Sequence, residues 1–579
     1  MKFKELSQYF EKLEKTPSRL AMTQLLAELF KKASVEEIGK ICYLSLGRLV
    51  PLYESLEFNL AEKMVVRAIA EASGVERKEI TRRFKKIGDL GEVAQKLKGG
   101  NGGFKQSSLF SKKRKAGSNK SLTVLGVYKR LREIAEDEGQ GSQERKVKAV
   151  AELLQDLDPV SVRYVTRVVV GKLRLGFSDK TIIDALSWMK TGDKSLRDDL
   201  EKAYYVRADI GYLAETFKQK GAGGLSNFEA NLGVPVMPAL CQRLKTADEM
   251  IAKMARVAVE PKWDGTRVAV HLKGKSFLKT FTRNLDETTH MFPELKNAYK
   301  QIKAKSVILD SEGVGVDPKT KRLLNFQQTI VRKRKHGVDE ASKKVPLKFF
   351  VFDILYKDGK SLLTTPLKKR REILTKTISG KGVLEVAEQI ETSDPKELRA
   401  YHKKQLGQGL EGAVVKKIDD DYIPGRRGWS WVKFKEEEKS EGALSDTLDC
   451  VVMGYYRGKG KRAEFGIGAF LVGVRRGEKF LTVAKVGTGL TDEQWKEIKK
   501  RADSQKTKDK PKEYVVDKGL TPDVWVSPKI VVEIAADNVT RSPNHSAGLA
   551  LRFPRLIRFR DDKRVSQATS VEELKKLSG

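Results

Sequence analysis

Over the first 220 or so residues, apolar positions recur every three to four residues. Phe3, Leu6, Tyr9, Phe10 and Leu13 form one such stripe; Leu20, Met22, Leu25, Leu26, Leu29 and Phe30 form the next. Thr16-Pro17-Ser18 stands between them as a stop followed by a cap. Further helical windows fall at 80–87, 122–134, 149–157, 160–173 and 179–189, with few strand signals among them. The pattern predicts an all-α region of roughly a dozen helices. After Gly221-Ala222-Gly223-Gly224 the period changes to mixed strand and helix. Alternating or apolar runs predict strands at 257–259, 267–272, 278–282, 307–309, 347–354, 412–417 and 431–435, and helices at 292–302, 367–377 and 395–406. A second change follows Glu436-Glu437-Glu438-Lys439-Ser440. Short strands are expected there at 448–456, 469–475, 479–486 and 529–534, with a final helix at 570–577. The expected organisation is a helical domain over 1–230, an α+β domain over 231–438, and a β-barrel over 439–579, the OB fold being the commonest small nucleic-acid-binding barrel.

Composition narrows what these domains act on. No run of about 18 apolar residues occurs, and Met1-Lys2-Phe3-Lys4-Glu5-Leu6 lacks the apolar core of a secretory signal, so a cytoplasmic protein without a membrane partner is expected. Cys42, Cys241 and Cys450 are too few for a four-thiolate zinc site, and the five histidines are scattered. Lys and Arg total 113 against 77 Asp and Glu, a formal net charge of +36. Thermophilic enrichment in charge adds both signs together, so an excess this lopsided points to a polyanion, most commonly nucleic acid. Two basic segments of the helical domain fit such a partner. One is the glycine-rich 98–120 with Lys112-Lys113-Arg114-Lys115. The other is Gly171-Lys172-Leu173-Arg174-Leu175-Gly176-Phe177, equally readable as a helix end.

The chemistry centres on Glu260-Pro261-Lys262-Trp263-Asp264-Gly265-Thr266-Arg267, between two runs that alternate as strands do. A lysine in such a connection, with an aspartate, a glycine and an arginine close behind, suits a covalent nucleophile; a solvated hairpin lysine is the bland alternative. Gly407-Gln408-Gly409-Leu410-Glu411-Gly412 satisfies G-x-G-x-x-G but follows a helix and precedes a strand, the reverse of a dinucleotide turn. No G-x-x-x-x-G-K-[ST] loop occurs. Instead, polar motifs sit at the ends of successive strands: Phe281-Thr282-Arg283-Asn284, Asp310-Ser311-Glu312-Gly313, Phe352-Asp353, Glu411-Gly412-Ala413-Val414-Val415-Lys416 and Trp431-Val432-Lys433-Phe434-Lys435. Singly, Asp310 and Asp353 could be turn caps and Phe352 core.

In this order the motifs, with Arg552-Phe553-Pro554-Arg555 and Arg560-Asp561-Asp562-Lys563 near the end, closely resemble those of ATP-dependent DNA ligases of the archaeal and eukaryotic replicative type, within the covalent nucleotidyltransferase superfamily. The likeness covers essentially the whole chain; Asp310-Ser311-Glu312 departs from the usual D-G-E. It implies a helical DNA-binding domain, an adenylation domain and an OB-fold barrel. It further implies that Lys262 attacks ATP and carries AMP, that Glu260 meets adenine, Phe352 stacks on the purine, and Arg267, Arg283, Arg427 and Lys433 contact the nucleotide. Glu312 and Glu411 would hold Mg²⁺, with Glu312 also at the ribose, while Lys416, Lys435, Arg552, Arg555 and Lys563 would contact phosphate during the first step. A lysine of reference pKa about 10.4 needs nearby cations and partial burial to favour its neutral amine, and these arginines and lysines would supply them.

The implied substrate is nicked double-stranded DNA, sealed during replication, repair and recombination, which places the protein at the nucleoid as a monomer. Gln106-Ser107-Ser108-Leu109-Phe110-Ser111 faintly suggests a sliding-clamp contact, and 436–446 is the candidate hinge for a turning barrel. An RNA ligase or capping-type enzyme is the nearest alternative, opposed by the helical domain and the R-F-P-R motif. A catalytically silent DNA-binding scaffold is the other, opposed by the intact Lys262, Glu312, Glu411 and Lys433. NAD as donor is disfavoured because the zinc-binding cysteines of that class are missing.

Overall fold

The computed structural model describes residues 1–100, 122–244, 246–324, 326–329, 332, 337–380, 382–425, 427–434, 447–458, 465–536 and 538–577. The chain divides into two compact units, Met1–Lys435 and Glu436–Gly579, and each is considered by itself. The basic segment 101–120, the clamp-like 106–111 and the hinge candidate 436–446 lie outside the described residues.

Twelve α-helices are described between Phe3 and Lys220. Their apolar stripes converge on one cluster that runs from Phe3 to Leu225. Capping decides several ends. Ser34 and Glu37 form a reciprocal capping box on the helix Val35–Ser45, and the Thr123 hydroxyl accepts from the Gly126 N–H (3.1 Å) at the start of Val124–Glu136. The window expected at 160–173 is shorter, a helix over Pro159–Val169. Gly171 and Arg174 adopt left-handed backbone just beyond it, which no helix continues through. The cations of that turn are paired within the fold, Lys172 with Glu62 (2.6 Å) and Arg174 with Asp89 (3.2 Å).

The rest of the first unit is built on two sheets. Its strands are β1 (Leu240–Arg243), β2 (Val257–Pro261), β3 (Thr266–Lys273), β4 (Phe277–Thr282), β5 (Ser306–Gly315), β6 (Leu347–Lys357), β7 (Lys360–Ser361), β8 (Leu384–Val386), β9 (Ile390–Thr392), β10 (Ala413–Lys417) and β11 (Arg427–Phe434). One sheet runs β4-β3-β5-β6-β7 with β8 on β6; the other runs β1-β11-β10-β2-β9. Residues 307–309 were only the apolar start of β5, so Asp310 and Glu312 stand in mid-strand and do not cap a turn. The helix expected at 292–302 is instead a 3₁₀ helix, Pro293–Gln301. Its buried Leu295 and Ala298 follow Phe292 at a spacing of three, which fits three residues per turn better than 3.6.

Alternation along the strands sends opposite faces to different places. Val268, Val270, Leu309, Phe349 and Val351 pack outward with Leu295 and Leu374. Val257, Val259, Val415, Val432 and Phe434 pack outward with Met250 and Leu398. The inner faces share a third cluster holding Ile308, Phe350 and Phe352 from one sheet and Trp431 from the other, joined by Tyr422.

Asp353 and Arg370 are both fully buried and form a two-pronged pair (2.8 and 3.0 Å) that ties the helix Leu367–Thr377 to β6. Asp353 is thus a buried anchor and not a turn cap.

The second unit is β-rich. β12 (Leu448–Tyr456), β13 (Ala469–Arg476) and β14 (Lys479–Val486) form its antiparallel centre. β15 (Lys506–Thr507), β16 (Tyr514–Val515), β17 (Val524–Val526) and β18 (Val531–Ala535) extend it, β19 (Asn538–Arg541) and β20 (Leu549–Arg552) pair apart, and β21 (Arg555–Phe559) joins β18. The early part of β12 pairs with β18 and its later part with β17, so the sheet curls into a half-barrel. Gly454 and Gly473 stand where the β12 and β13 registers shift, and a Cβ there would meet Val524 O at 2.7 Å and Met453 Sδ at 2.5 Å respectively. Sequence periodicity missed the helix Asp492–Ser504, whose Trp495, Ile498 and Ala502 close the core.

Arg370→Ala would leave the Asp353 charge buried and uncompensated. A loss of about 3–5 kcal/mol in urea unfolding of the first unit is expected, with much of it recovered in the apolar double variant Asp353→Leu/Arg370→Met.

Candidate active site

Lys262 lies in the connection between β2 and β3, but those strands belong to different sheets, so the connection is a crossing and not a hairpin. It is held by its own backbone. Lys262 N–H donates to Gly412 O (2.9 Å), and Glu411 N–H donates to Lys262 O (3.2 Å). Gly412 has φ +109°, and a Cβ on it would lie 2.5 Å from Phe434 O. A Cβ on Gly265 would lie 2.4 Å from Gly313 O, so a bare glycine is needed for the crossing to approach β5. Trp263 stacks flat on Phe350, centroids 3.9 Å apart and planes 9° from parallel, which fixes the crossing against the sheet floor.

The Lys262 side chain is about three-quarters buried and its ammonium pairs with the Glu411 carboxylate. Its charge acts on the Glu312 carboxyl, as does that of Arg267. Desolvation by the cleft walls nevertheless dominates at Glu312 and pushes it up to about 8. Glu312 is cross-strand to Arg267 and to Phe350. In the departure from D-G-E, Ser311 points to the opposite face, where it is fully buried and its hydroxyl donates to Val268 O (2.8 Å).

Arg267 is more committed than the sequence implied. Its guanidinium grips Asp310 through Nε (3.0 Å) and Nη2 (2.6 Å) and donates to Ala239 O (2.7 Å). It lies 5.4 Å from the ring centres of both Phe352 and Trp431. Burial alone would pull its pKa down, but Asp310 outweighs that and raises it. Tyr422 completes the group. Its hydroxyl donates to Asp310 (2.8 Å) and accepts from Ala239 N–H (2.9 Å) and Arg267 Nη2 (3.2 Å). Burial, reinforced by Asp310, drives the Tyr422 pKa well up. Of the cations expected around the amine, Arg267 is therefore compensated by Asp310, and Lys262 itself pairs with a carboxylate.

Glu260 is buried at the end of β2. Its carboxylate pairs with the Lys416 ammonium (2.6 Å) and accepts from Gln389 Nε2 (2.8 Å). Lys416 is 1% exposed, its ammonium 4.7 Å from the Phe352 ring centre and 4.1 Å from that of Trp431. Lys433 shares the Glu260 face, since Val414 is cross-strand to both. Arg267, Lys416, Lys262 and Lys433 all act electrostatically on the half-buried Cys241 thiol, whose pKa desolvation raises. One cleft thus gathers Glu260, Lys262, Arg267, Glu312, Phe352, Glu411, Lys416 and Lys433. Arg283 is exposed at the rim of a hollow floored by Arg267, Asp310 and Tyr422. The Arg427 side chain and Lys435 lie outside the described residues. In the second unit, Lys563 (2.5 Å) and Arg560 (2.8 Å) both hold Asp449, Arg552 lies 5.3 Å from the ring of the exposed Phe553, and Arg555 is exposed. Tyr422, Gln389 and Trp263 carried no sequence signal of their own, because each acts through partners far away in the chain.

Three family models match the chain: "DNA ligase N terminus" over residues 2–187, "ATP dependent DNA ligase domain" over 238–435, and "ATP dependent DNA ligase C terminal region" over 463–563. The chain is 42% identical to a probable DNA ligase of Dictyoglomus turgidum, over 99% of its own length and 97% of the relative's. It is 39% identical to DNA ligase 2 of Thermofilum pendens, over 98% and 96%, and 36% identical to a DNA ligase of Sulfolobus acidocaldarius, over 99% and 97%. The chain belongs to the ATP-dependent DNA ligases. A solved structure described as Pmar-Lig_Pre shares the fold at a TM-score of 0.51 and 17% identity, over 96% of this chain and 99% of that one. As a ligase of this family it uses ATP as adenylate donor, with Mg²⁺ as the usual metal. Glu411, paired with the Lys262 ammonium, and Glu312, on which that charge acts, are hard oxygen donors suited to that ion. Among the described residues, no helix is long and apolar enough to cross a membrane.

The Glu312 shift has a consequence for stability. Between pH 4.5 and about 8 the native chain keeps a proton that the unfolded chain has released. The stability from this group is complete below pH 4.5 and is lost as pH rises through 8. Glu312→Gln should therefore gain stability relative to the parent chain across that window in urea unfolding without metal; parallel pH curves would contradict a neutral buried carboxyl.

Proposed function

We propose that this DNA ligase seals nicks in duplex DNA through Lys262. The amine attacks the α-phosphorus of ATP; a P–N bond forms, the bond to pyrophosphate breaks, and the amine gives up its proton. The 5′-phosphate at a nick then takes the adenylate, which restores Lys262. The 3′-hydroxyl finally attacks that 5′-phosphorus, and AMP leaves. The observation that carries this reading is the Lys262–Glu411 pair set beside the desolvated Glu312 carboxyl.

Mg²⁺ bound at Glu312 and Glu411 would neutralise developing phosphate charge. Glu411 could not serve that ion and Lys262 fully at once, so a carboxylate drawn to the metal would leave the amine without its counterion. Glu312, neutral when desolvated, would be favoured in its ionised form beside the same charge. Glu260 and Phe352 take the adenine, Arg267 the ribose side, and Arg283, Arg427 and Lys433 the phosphates. Lys435 and Lys416, with Arg552, Arg555 and Lys563 of the barrel, serve the first step. Domains over 1–230, 231–438 and 439–579 let a monomer surround the duplex, at the nucleoid and with residues 106–111 as the clamp contact.

Incubation with α-labelled ATP and Mg²⁺ should label the parent chain and not Lys262→Ala on a denaturing gel, and nicked duplex should then discharge the label. Equal labelling of both proteins would remove Lys262 as nucleophile. Discharge to nicked RNA alone would move the substrate to RNA.

A further inference from the structure

A carboxylate is an ambiguous reader of purines. It accepts from the 6-amino group of adenine, but with a small shift it accepts equally well from the N1–H and 2-amino groups of guanine. Charge alone therefore does not make Glu260 select adenine; its position must be fixed.

The fold fixes it from two directions. One oxygen of Glu260 is bound by Lys416, an ammonium buried to 1% exposure and bracketed by the rings of Phe352 and Trp431. The other oxygen accepts from Gln389, which reaches across from the loop between β8 and β9. Both donors come from outside the Glu260 strand, and β2 lies between the strands that border them, β9 and β10. With both oxygens engaged and the side chain buried, swinging the carboxylate toward a second edge of the base breaks a charge-assisted bond in a desolvated place.

We infer that Gln389, together with Lys416, is a specificity-determining positioning residue that clamps Glu260 so that the cleft accepts 6-amino purine nucleotides and rejects 6-oxo purine nucleotides. The inference rests on the reading of Glu260 as the base contact. Gln389 suits the test better than Lys416, because it is only half buried in a connecting loop and its loss leaves no buried charge.

Self-adenylation with ATP and self-guanylation with GTP, measured as kcat/KM on the full chain with Mg²⁺, read the clamp directly. Gln389→Met keeps the length and removes the donor; Gln389→Ala removes both. Each is expected to lower the ATP-to-GTP ratio at least tenfold, mostly through KM, with the unfolding temperature near that of the parent. Gln389→Asn, carrying the same amide on a shorter stem, should recover part of the ratio. Glu260→Ala separates the two layers of the argument. A collapsed ratio in Glu260→Ala with an unchanged ratio in both Gln389→Met and Gln389→Ala overturns the clamp and leaves Glu260 in place. An unchanged ratio in Glu260→Ala overturns the base contact itself. A fall in both substrates alike, with the ratio kept, would assign Gln389 a purely structural role and also overturn the clamp.

Discussion

The architecture of the cleft depends on two backbone hydrogen bonds. Lys262 donates to Gly412 and accepts from Glu411, which clips the crossing between the sheets to the mouth of β10. Because the crossing leaves one sheet and enters the other, this clip sets where their inner faces meet. It can form only because two side chains are missing, at Gly412 and Gly265, where any Cβ would run into backbone oxygen. The short K-x-D-G motif is thus as much a packing constraint as a chemical one: its glycine gives the lysine a place to be.

Around that clip the cleft is arranged as matched charges. Arg267 has Asp310, Lys416 has Glu260, and Lys262 has Glu411. Buried pairs of this kind add little net stability over apolar residues of the same shape, but breaking one is costly. Their value here lies in direction. Arg267 can take few other poses while Asp310, Tyr422 and Ala239 hold it, and an anionic ligand arriving in the cleft meets groups already aimed. Glu312 is the exception: among the described residues it forms no hydrogen-bonded ion pair, and desolvation raises its pKa to about 8.

How much of this could be read from the chain follows from the range of the interactions involved. The first two helical stripes, β12 and β14 are local patterns of burial, and periodicity finds them nearly residue for residue. The Lys262 crossing was legible because a lysine, an aspartate and a glycine must be neighbours in sequence to make it. Taken singly, Asp310 and Asp353 could pass for turn caps, since each interrupts the apolar run that marks a strand and only its distant partner, Arg267 or Arg370, explains it. Residues 292–302 satisfied both helical periods, and only packing chose the tighter one. Tyr422 and Gln389 were invisible for a further reason: their partners lie 112 and 129 residues away, and nothing in the intervening sequence records the contact.

The matched charges also bear on where the surplus of +36 resides. Arg267, Lys416 and Lys262 in the cleft are each paired with a carboxylate, so these three pairs contribute nothing to the excess. The surplus is carried by other cations of the chain, and positive charge that meets solvent gains little from the fold and much from a polyanion whose counterions it displaces. The chain therefore separates two uses of the same residues: paired lysines and arginines that give the cleft its geometry, and unbalanced ones outside it that draw the long, negatively charged substrate to that geometry. A reversal of this arrangement, with the excess concentrated in the cleft, would bind ATP more tightly but would leave duplex DNA no reason to approach.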